Sequence, residues 1–230
     1  MGDLVLSKSS VNSYLNCPLQ WWFTYVLAAE GEMGEPATTG IAVHDLAEKT
    51  LNTGEPQSWQ ATDPDVRSLA VLWEKEVWPT IGKPVMVESQ FIIDVDDVLY
   101  SGYVDYVTEG YLLCDLKTTG RKPGPGKYRM DMVGYWLGCR SLGIDTVAMR
   151  LDYLVRTRKP YYLPEMQNIP EDWEVEAFAS TLSHVRENID AGLFPPTGLT
   201  GWACRYCNHR NVCGPYAAMP QKESNSADAA

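Results

Sequence analysis

The sequence predicts an α/β (α+β) fold with a mixed central sheet flanked by helices, and three observations predict it. Between Val85 and Lys117 the chain reads as three strands in close succession. Apolar residues at helical spacing lie on both sides of that stretch. An apolar run, Thr146–Val155, then returns between two later helices as a buried strand. Strands and helices interleaved in this way cover a sheet with helices.

Taken in order, Ser9 and Ser10 precede a short helix, Val11 to Asn16, which Pro18 breaks. An aromatic-rich helix follows near Gln20 to Val26. The stretch 30–39, rich in Gly and Glu, reads as a loop, with Thr39 as the cap of a helix running to about Leu51. Asp63-Pro64 is an N-cap with proline at the first helical position, and Val66, Leu69, Leu72, Trp73 and Val77 then recur at helical spacing. Val85–Ile93 and Val98–Val107 read as strands joined by the turn Asp94–Asp97, and Tyr111–Lys117 as a third strand after Glu109-Gly110. Beyond the Gly120–Gly126 loop come a helix over Lys127–Arg140, the strand Thr146–Val155, a possible partner at Tyr161–Leu163, and a long helix over Pro170–Ala191. Glu171 and Asp172 sit favourably in the first turn of that last helix. The expected organisation is a single domain over residues 1–216, with a small polar tail, 217–230, expected to be disordered.

The chain has 230 residues, 45% of them hydrophobic, with 13 Tyr and eight Trp. That is enough apolar material for a core and excludes global disorder. No apolar run is long enough for a membrane span, and the N-terminus lacks the pattern of a secretory signal, so a cytoplasmic protein with no membrane partner is expected. In that compartment six cysteines suggest metal or redox chemistry rather than disulfides. The net charge of −11 argues against nucleic acid as a partner when taken alone. Two local basic clusters run the other way: Arg121, Lys122, Lys127 and Arg129, and Arg156, Arg158 and Lys159. Such clusters either steer a polyanion or are ordinary solvated surface.

The chemistry centres on GYVDYV followed by CDLKTT. Side chains alternate along a strand, so Tyr111, Leu113, Asp115 and Lys117 share one face, and Leu112, Cys114 and Leu116 the other. An acid and a lysine on an otherwise apolar face are costly unless used. Asp105, at the end of the neighbouring strand, can approach Asp115, and a hard divalent cation removes the repulsion between two close carboxylates.

These motifs, with SSVNSYLNCPLQWWFTYV, GIAVHDLAE and VESQFIIDV before them, resemble the PD-(D/E)XK nuclease superfamily. The wider chain, about Leu6 to Gly214, resembles its RecB-like branch, which includes AddB-type nucleases and CRISPR-associated iron–sulfur exonucleases. The resemblance implies a restriction-endonuclease-like sheet and a metal-dependent DNA exonuclease. Such an enzyme uses Mg²⁺ or Mn²⁺, prefers single strands or DNA ends, runs 5′→3′, and leaves 5′-phosphates. It implies that His44, Asp105, Asp115 and the Leu116 carbonyl bind the metal, and that Lys117 orients or activates water or stabilises charge on the phosphate. Glu88 matches a recurrent acidic strand position of the family. Glu48 is one turn after His44, either a support for the site or a solvent-facing residue. The family's Gln-x-x-x-Tyr helix is matched by Tyr135, with Asp131 in place of the glutamine. Tyr128 lies on the same side, and Tyr128, Asp131 and Tyr135 are candidate supporting or DNA-contacting residues.

Cys204, Cys207 and Cys213 leave a metal one ligand short, which Cys17 can supply. The split resembles the iron–sulfur branch, and all-cysteine ligation suits either [4Fe–4S] or Zn²⁺. Both chain ends, Cys17 with residues 200–214, would then form an iron–sulfur annex. Cys114 and Cys139 read as core residues. The competing function is a catalytically silent DNA-binding or assembly subunit that keeps the cluster. An electron-transfer protein is a third reading, but it leaves the carboxylate–lysine sheet unexplained.

Overall fold

The computed structural model describes residues 4–29, 35–197, 204 and 207–214. The tail expected over 217–230 lies outside these, as do parts of the 30–39 loop and of the C-terminal cysteine segment. The elements are β1 (Leu6–Ser7), α1 (Lys8–Asn16), α2 (Pro18–Tyr25), α3 (Glu35–Thr53), α4 (Pro64–Glu76), β2 (Met86–Val95), β3 (Val98–Val107), β4 (Leu112–Thr119), α5 (Arg129–Ser141), β5 (Ala148–Val155), β6 (Tyr161–Gln167) and α6 (Asp172–Asp190).

Local chemistry explains most of the boundaries. Ser7 caps α1, its hydroxyl accepting from the Ser10 N–H at 3.2 Å, so the helix starts earlier than Val11. The first helix breaks ahead of Pro18, as expected, and Pro18 itself opens α2 at its first position, so that helix starts earlier than Gln20. Asp63 caps α4 through the Asp65 and Val66 N–H groups, as its sequence implies. Glu171 and Glu174 form a reciprocal capping box on α6. Tyr111 adopts φ +59 and belongs to the turn before β4 rather than to the strand, which places the strand start at Leu112. Tyr128 caps α5 instead of lying within it. Thr39 is a buried residue inside α3, not its cap.

The strands form one mixed six-stranded sheet, ordered β1-β3-β4-β5-β6 with β2 on β3. The β2–β3 hairpin is antiparallel, β4–β5 parallel and β5–β6 antiparallel. Each face buries its own cluster. On one side α1, α5 and α6 bring Val11, Met132, Val133, Phe178 and Leu182 onto Leu113, Met149, Leu151 and Tyr153. On the other, α3 and α4 bring Val43, Leu46, Leu69 and Trp73 onto Tyr106, Cys114, Leu116 and Leu154. Each such side chain contributes roughly 1.5–3 kcal/mol of burial, and the sheet is clamped from both sides.

One break in this regularity positions the site. β2 runs along one edge of β3 for nearly its whole length. The other edge is divided: β1 pairs in parallel with Tyr100 and Ser101, and β4 pairs only with Val107 and Tyr106. Between them, Gly102 to Asp105 have no strand partner on that edge among the described residues. Alternation also slips here. Val98, Tyr100 and Val104 face the first cluster, whereas Tyr106 faces the second.

Candidate active site

The break falls at Asp105. Asp105 and Asp115 would be the next opposed pair of the β3–β4 ladder, but the ladder ends at Tyr106–Cys114. The freed Asp105 carboxylate instead accepts the Leu116 N–H at 2.7 Å. The strands are thus stitched together by a side chain where backbone bonds stop, and the carboxylate is fixed at the gap.

The facing strand is distorted too. Glu88 holds φ +39 in β2, a conformation that costs a non-glycine residue free energy and that clusters at functional sites. Helix α3 completes the group. Gly40 lets the helix approach β4 closely, since a Cβ there would come within 2.9 Å of Thr118 Oγ1. One turn later His44 sets its Nδ1 3.5 Å from Asp105 Oδ2. Ligand atoms of His44, Glu88 and Asp105 all lie within 4.8 Å of one another. These residues, with Ala47, Glu48, Leu51, Tyr106 and Leu116, line a cavity of about 10 Å³, room for about one water molecule or ion.

The electrostatics of the group are strained in one direction. Burial pushes the Glu88 carboxyl up to about 8, and the charges of Asp105, Glu48 and Asp115 add to it. Burial likewise raises Asp105, with His44 pulling down and Asp115 pushing up. Three mutually repelling acids with few donors are stabilised by a cation. One imidazole nitrogen and two carboxylates fit a divalent ion of the Mg²⁺–Mn²⁺ kind.

Asp115 and Lys117 remain on one face of β4, as strand alternation requires, but Tyr111 does not join them. The Lys117 ammonium contacts Asp115 Oδ2 directly. Burial opposes that charge, yet Asp115 and then Asp105 outweigh it, and the net effect raises the Lys117 pKa. Asp115 therefore belongs to the lysine in this arrangement and is not one of the three compact donors. Lys117 Nζ also lies 5.3 Å from the centre of the Tyr128 ring.

On α5, Asp131 is 7% exposed and accepts from Asn12 Nδ2 at 3.0 Å. Burial raises its pKa, opposed by Asn12, Lys8 and Lys117. Tyr135 is buried one turn on, its pKa raised by burial and then by Asp115 and Asp105. Lys8 Nζ stands 5.3 Å over the Tyr135 ring. Asn12 and Lys8 carry no signal of their own in the sequence; only the fold brings α1 to α5.

A second group gathers the chain ends. Cys17 is the joint between α1 and α2. The C-terminal segment is tied to it by Thr197 Oγ1 donating to the Asn16 carbonyl at 2.8 Å, by Tyr14 Oη donating to the Leu193 carbonyl at 2.6 Å, and by Trp21 stacked on Phe194. Cys17, Cys204, Cys207 and Cys213 are all free and half-buried. Burial raises the Cys204 and Cys207 thiols, and the charges of Cys17 and Cys213 raise both further. Burial also works on Cys17, but hydrogen bonds led by Thr197 bring it below the usual thiol value. His209 is buried with its Nε2 2.9 Å from Thr24 Oγ1. Cys114 and Cys139 are fully buried core residues, as expected.

The basic clusters are partly committed to structure. Arg129 grips Glu174 through two bonds of 2.5 Å, and Arg156 lies 3.2 Å from Glu35. Among the described residues, no helix is long and apolar enough to cross a membrane.

Known proteins share this architecture. A solved structure of a candidate exonuclease from Eubacterium rectale superposes with a TM-score of 0.59 at 9% identity, covering 88% of this chain and 87% of that one; at this identity the likeness concerns the fold. The Gene 69 protein of Mycobacterium phage D29 is 26% identical over 146 residues, 60% of this chain and 51% of that protein. The chain thus spans about half the length of that curated relative. The family model of the PD-(D/E)XK nuclease superfamily matches residues 5–214, a span that holds the splayed strands, the buried acids and Lys117 together. With nearly its whole length inside that match, the chain belongs to the PD-(D/E)XK nuclease superfamily.

Proposed function

We propose that the protein is a Mg²⁺- or Mn²⁺-dependent DNA exonuclease that prefers single strands or DNA ends and runs 5′→3′. The observation that carries the nuclease reading is the convergence of His44, Glu88 and Asp105 beside the Lys117 ammonium. The direction and the exonuclease preference draw on the RecB-like resemblance and on the Eubacterium rectale structure, itself described as a candidate exonuclease.

His44, Glu88 and Asp105 would hold the divalent ion, with Asp115 and the Leu116 carbonyl as neighbours. When bound, the ion polarises the scissile phosphate and acidifies a water molecule. Lys117, held as an ammonium, acts on charge that develops on the phosphate rather than as a proton acceptor. The Leu116 N–H keeps Asp105 from swinging away. Tyr128 offers a ring beside the lysine on which a base stacks.

The four thiols fit a [4Fe–4S] cluster. They are free, drawn from the α1–α2 joint and the C-terminal segment, and they repel one another as thiolates, a repulsion that bound iron would relieve. Its role is structural: it fastens α1 and α2 to the C-terminal segment. Protein purified without air is brown, with stoichiometric iron and sulfide; colourless protein holding zinc overturns the cluster.

The activity is tested on end-labelled single- and double-stranded DNA with Mn²⁺. Wild type releases 5′-phosphorylated products, faster from single strands, and Lys117→Ala loses on the order of 10²–10³-fold in rate. Full cleavage by Lys117→Ala overturns the mechanism. A wild type that binds DNA without cutting it establishes the silent-subunit reading instead.

A further inference from the structure

The net charge of −11 is unevenly spread along the chain. The turn after β4, residues 120–127, and the turn after β5, residues 156–159, together hold six Lys and Arg and no acid. β4 and β5 run parallel, in register from Leu112–Ala148 to Thr119–Val155, so both strands finish at the same end of the sheet. The Arg156 N–H donates to the Thr119 carbonyl at 2.7 Å and carries the pairing on into the two turns. A threonine braces each of them: Thr119 Oγ1 donates to the Arg121 carbonyl and Thr157 Oγ1 to the Lys159 carbonyl, both at 2.7 Å. Arg156 is taken up by Glu35 and Asp65. Arg121, Lys122, Lys127, Arg158 and Lys159 are exposed, and their charged groups form no ion pair among the described residues. The first turn also borders the site. It leaves β4 just beyond Lys117 and returns at Tyr128, whose ring centre has Lys117 Nζ at 5.3 Å and Lys127 Nζ at 4.9 Å. The ammonium of the site and an ammonium of the turn therefore flank one ring.

Exposed cations fixed side by side without counter-charges repel one another, and a polyanion relieves that repulsion. We propose that the two turns form one phosphate-binding rim that grips the backbone of the DNA strand beside the site. Lys127 takes the phosphate next to the scissile one, and Arg121, Lys122, Arg158 and Lys159 take those beyond it. This rests on the nuclease reading of the same site and adds to it a path for the strand, past Lys117 and along the shared end of β4 and β5. Contacts of this kind go to phosphate and carry no sequence preference.

Binding is read by the fluorescence anisotropy of a fluorescein-labelled oligo-dT strand with the full chain in EDTA, so that nothing is cut. Arg121→Ala/Lys122→Ala and Arg158→Ala/Lys159→Ala each weaken binding on the order of 10-fold at low salt, and the slope of log affinity against log salt flattens by roughly 0.7 for each cation removed. Lys75→Ala/Lys83→Ala removes two exposed cations from the end of α4 and the segment before β2, and it leaves affinity and slope as in wild type. With Mn²⁺ the two rim variants raise KM and keep kcat, the pattern of lost binding rather than lost chemistry. A readout that needs neither cleavage nor substitution is acetylation by acetic anhydride followed by mass spectrometry. Bound oligo-dT protects Lys122, Lys127 and Lys159 severalfold and leaves Lys75 and Lys83 as reactive as before.

Wild-type affinity and salt slope in both rim variants overturn the proposal, as does a wild type that does not hold oligo-dT. So does an equal loss in Lys75→Ala/Lys83→Ala, which makes the effect one of net charge alone. A loss confined to one rim variant overturns the joint surface and leaves a single basic turn. If wild type binds the strand through these residues and never cuts it, the nuclease reading fails and the rim stands. If it cuts DNA and both rim variants match its KM, the rim fails and the nuclease reading stands.

Discussion

Two polar groups stand on this one sheet, and they are built to opposite rules. Asp152, on β5, is fully buried. It accepts from Tyr106 Oη at 2.5 Å and Tyr162 Oη at 2.6 Å, and Arg150 meets it with Nη2 at 3.0 Å and Nε at 2.8 Å. Burial still raises its pKa, but the guanidinium and both phenols oppose that rise. Asp105, Glu88 and Asp115 have far less: one N–H for the first, one ammonium for the last, and a strained backbone under the second. Satisfied donors and acceptors mark architecture, while acids gathered with few donors suit a cation. Tyr106 joins the two clusters, following Asp105 in sequence and holding Asp152 with its hydroxyl.

The sharpest test of this contrast is a pair of isosteric changes. Asp105→Asn removes a repelling charge, so the metal-free protein melts no lower than wild type, yet cleavage falls on the order of 10²–10³-fold. Asp152→Asn leaves buried Arg150 uncompensated and costs about 3–5 kcal/mol in denaturant unfolding, while the surviving folded fraction still binds Mn²⁺. Equal stability effects from the two substitutions break the distinction.

Cys17→Ala probes the third group. If the proposed cluster is held there, it removes a ligand from the joint between α1 and α2, so it lowers the yield of soluble protein well below that of Lys117→Ala, which leaves the fold intact. Fractionation of the two variants side by side checks this.

The last test is the pH dependence of the metal-free protein. Glu88 binds its proton more tightly when folded, at about 8 against 4.5 unfolded. Between those values the folded state holds the extra proton, so stability falls as pH rises. In EDTA the melting temperature therefore declines from pH 5 to 8, and Glu88→Gln flattens the decline. With Mn²⁺ the proton is displaced, and the metal-induced gain in melting temperature grows over the same range.

The sequence was a good guide wherever a period or a cap acts locally. β3 runs over the expected residues because two nearby turns bound it closely. Asp63 caps α4 because its carboxylate reaches N–H groups only two and three residues away. It failed where the answer is set by distant packing. A two-residue β1 has no period to read, and Thr39 looked like a cap because nothing local reveals that Gly40 packs on Thr118. The opening of the ladder at Asp105 was invisible for the same reason. Alternation places Asp105 opposite Asp115, while the actual geometry depends on β1 claiming part of the same edge. His44 and Glu88 could be named only by family resemblance, and the Asn12–Asp131 bond not at all.

The stitching of the chain ends has a consequence during synthesis. Tyr14 and Trp21 leave the ribosome about 175 residues before their partners Leu193 and Phe194. At 5–20 residues per second the wait is roughly 10 to 35 s. For that interval α1 and α2 present an open aromatic face, so the nascent protein is vulnerable at that helix pair until the later segment arrives.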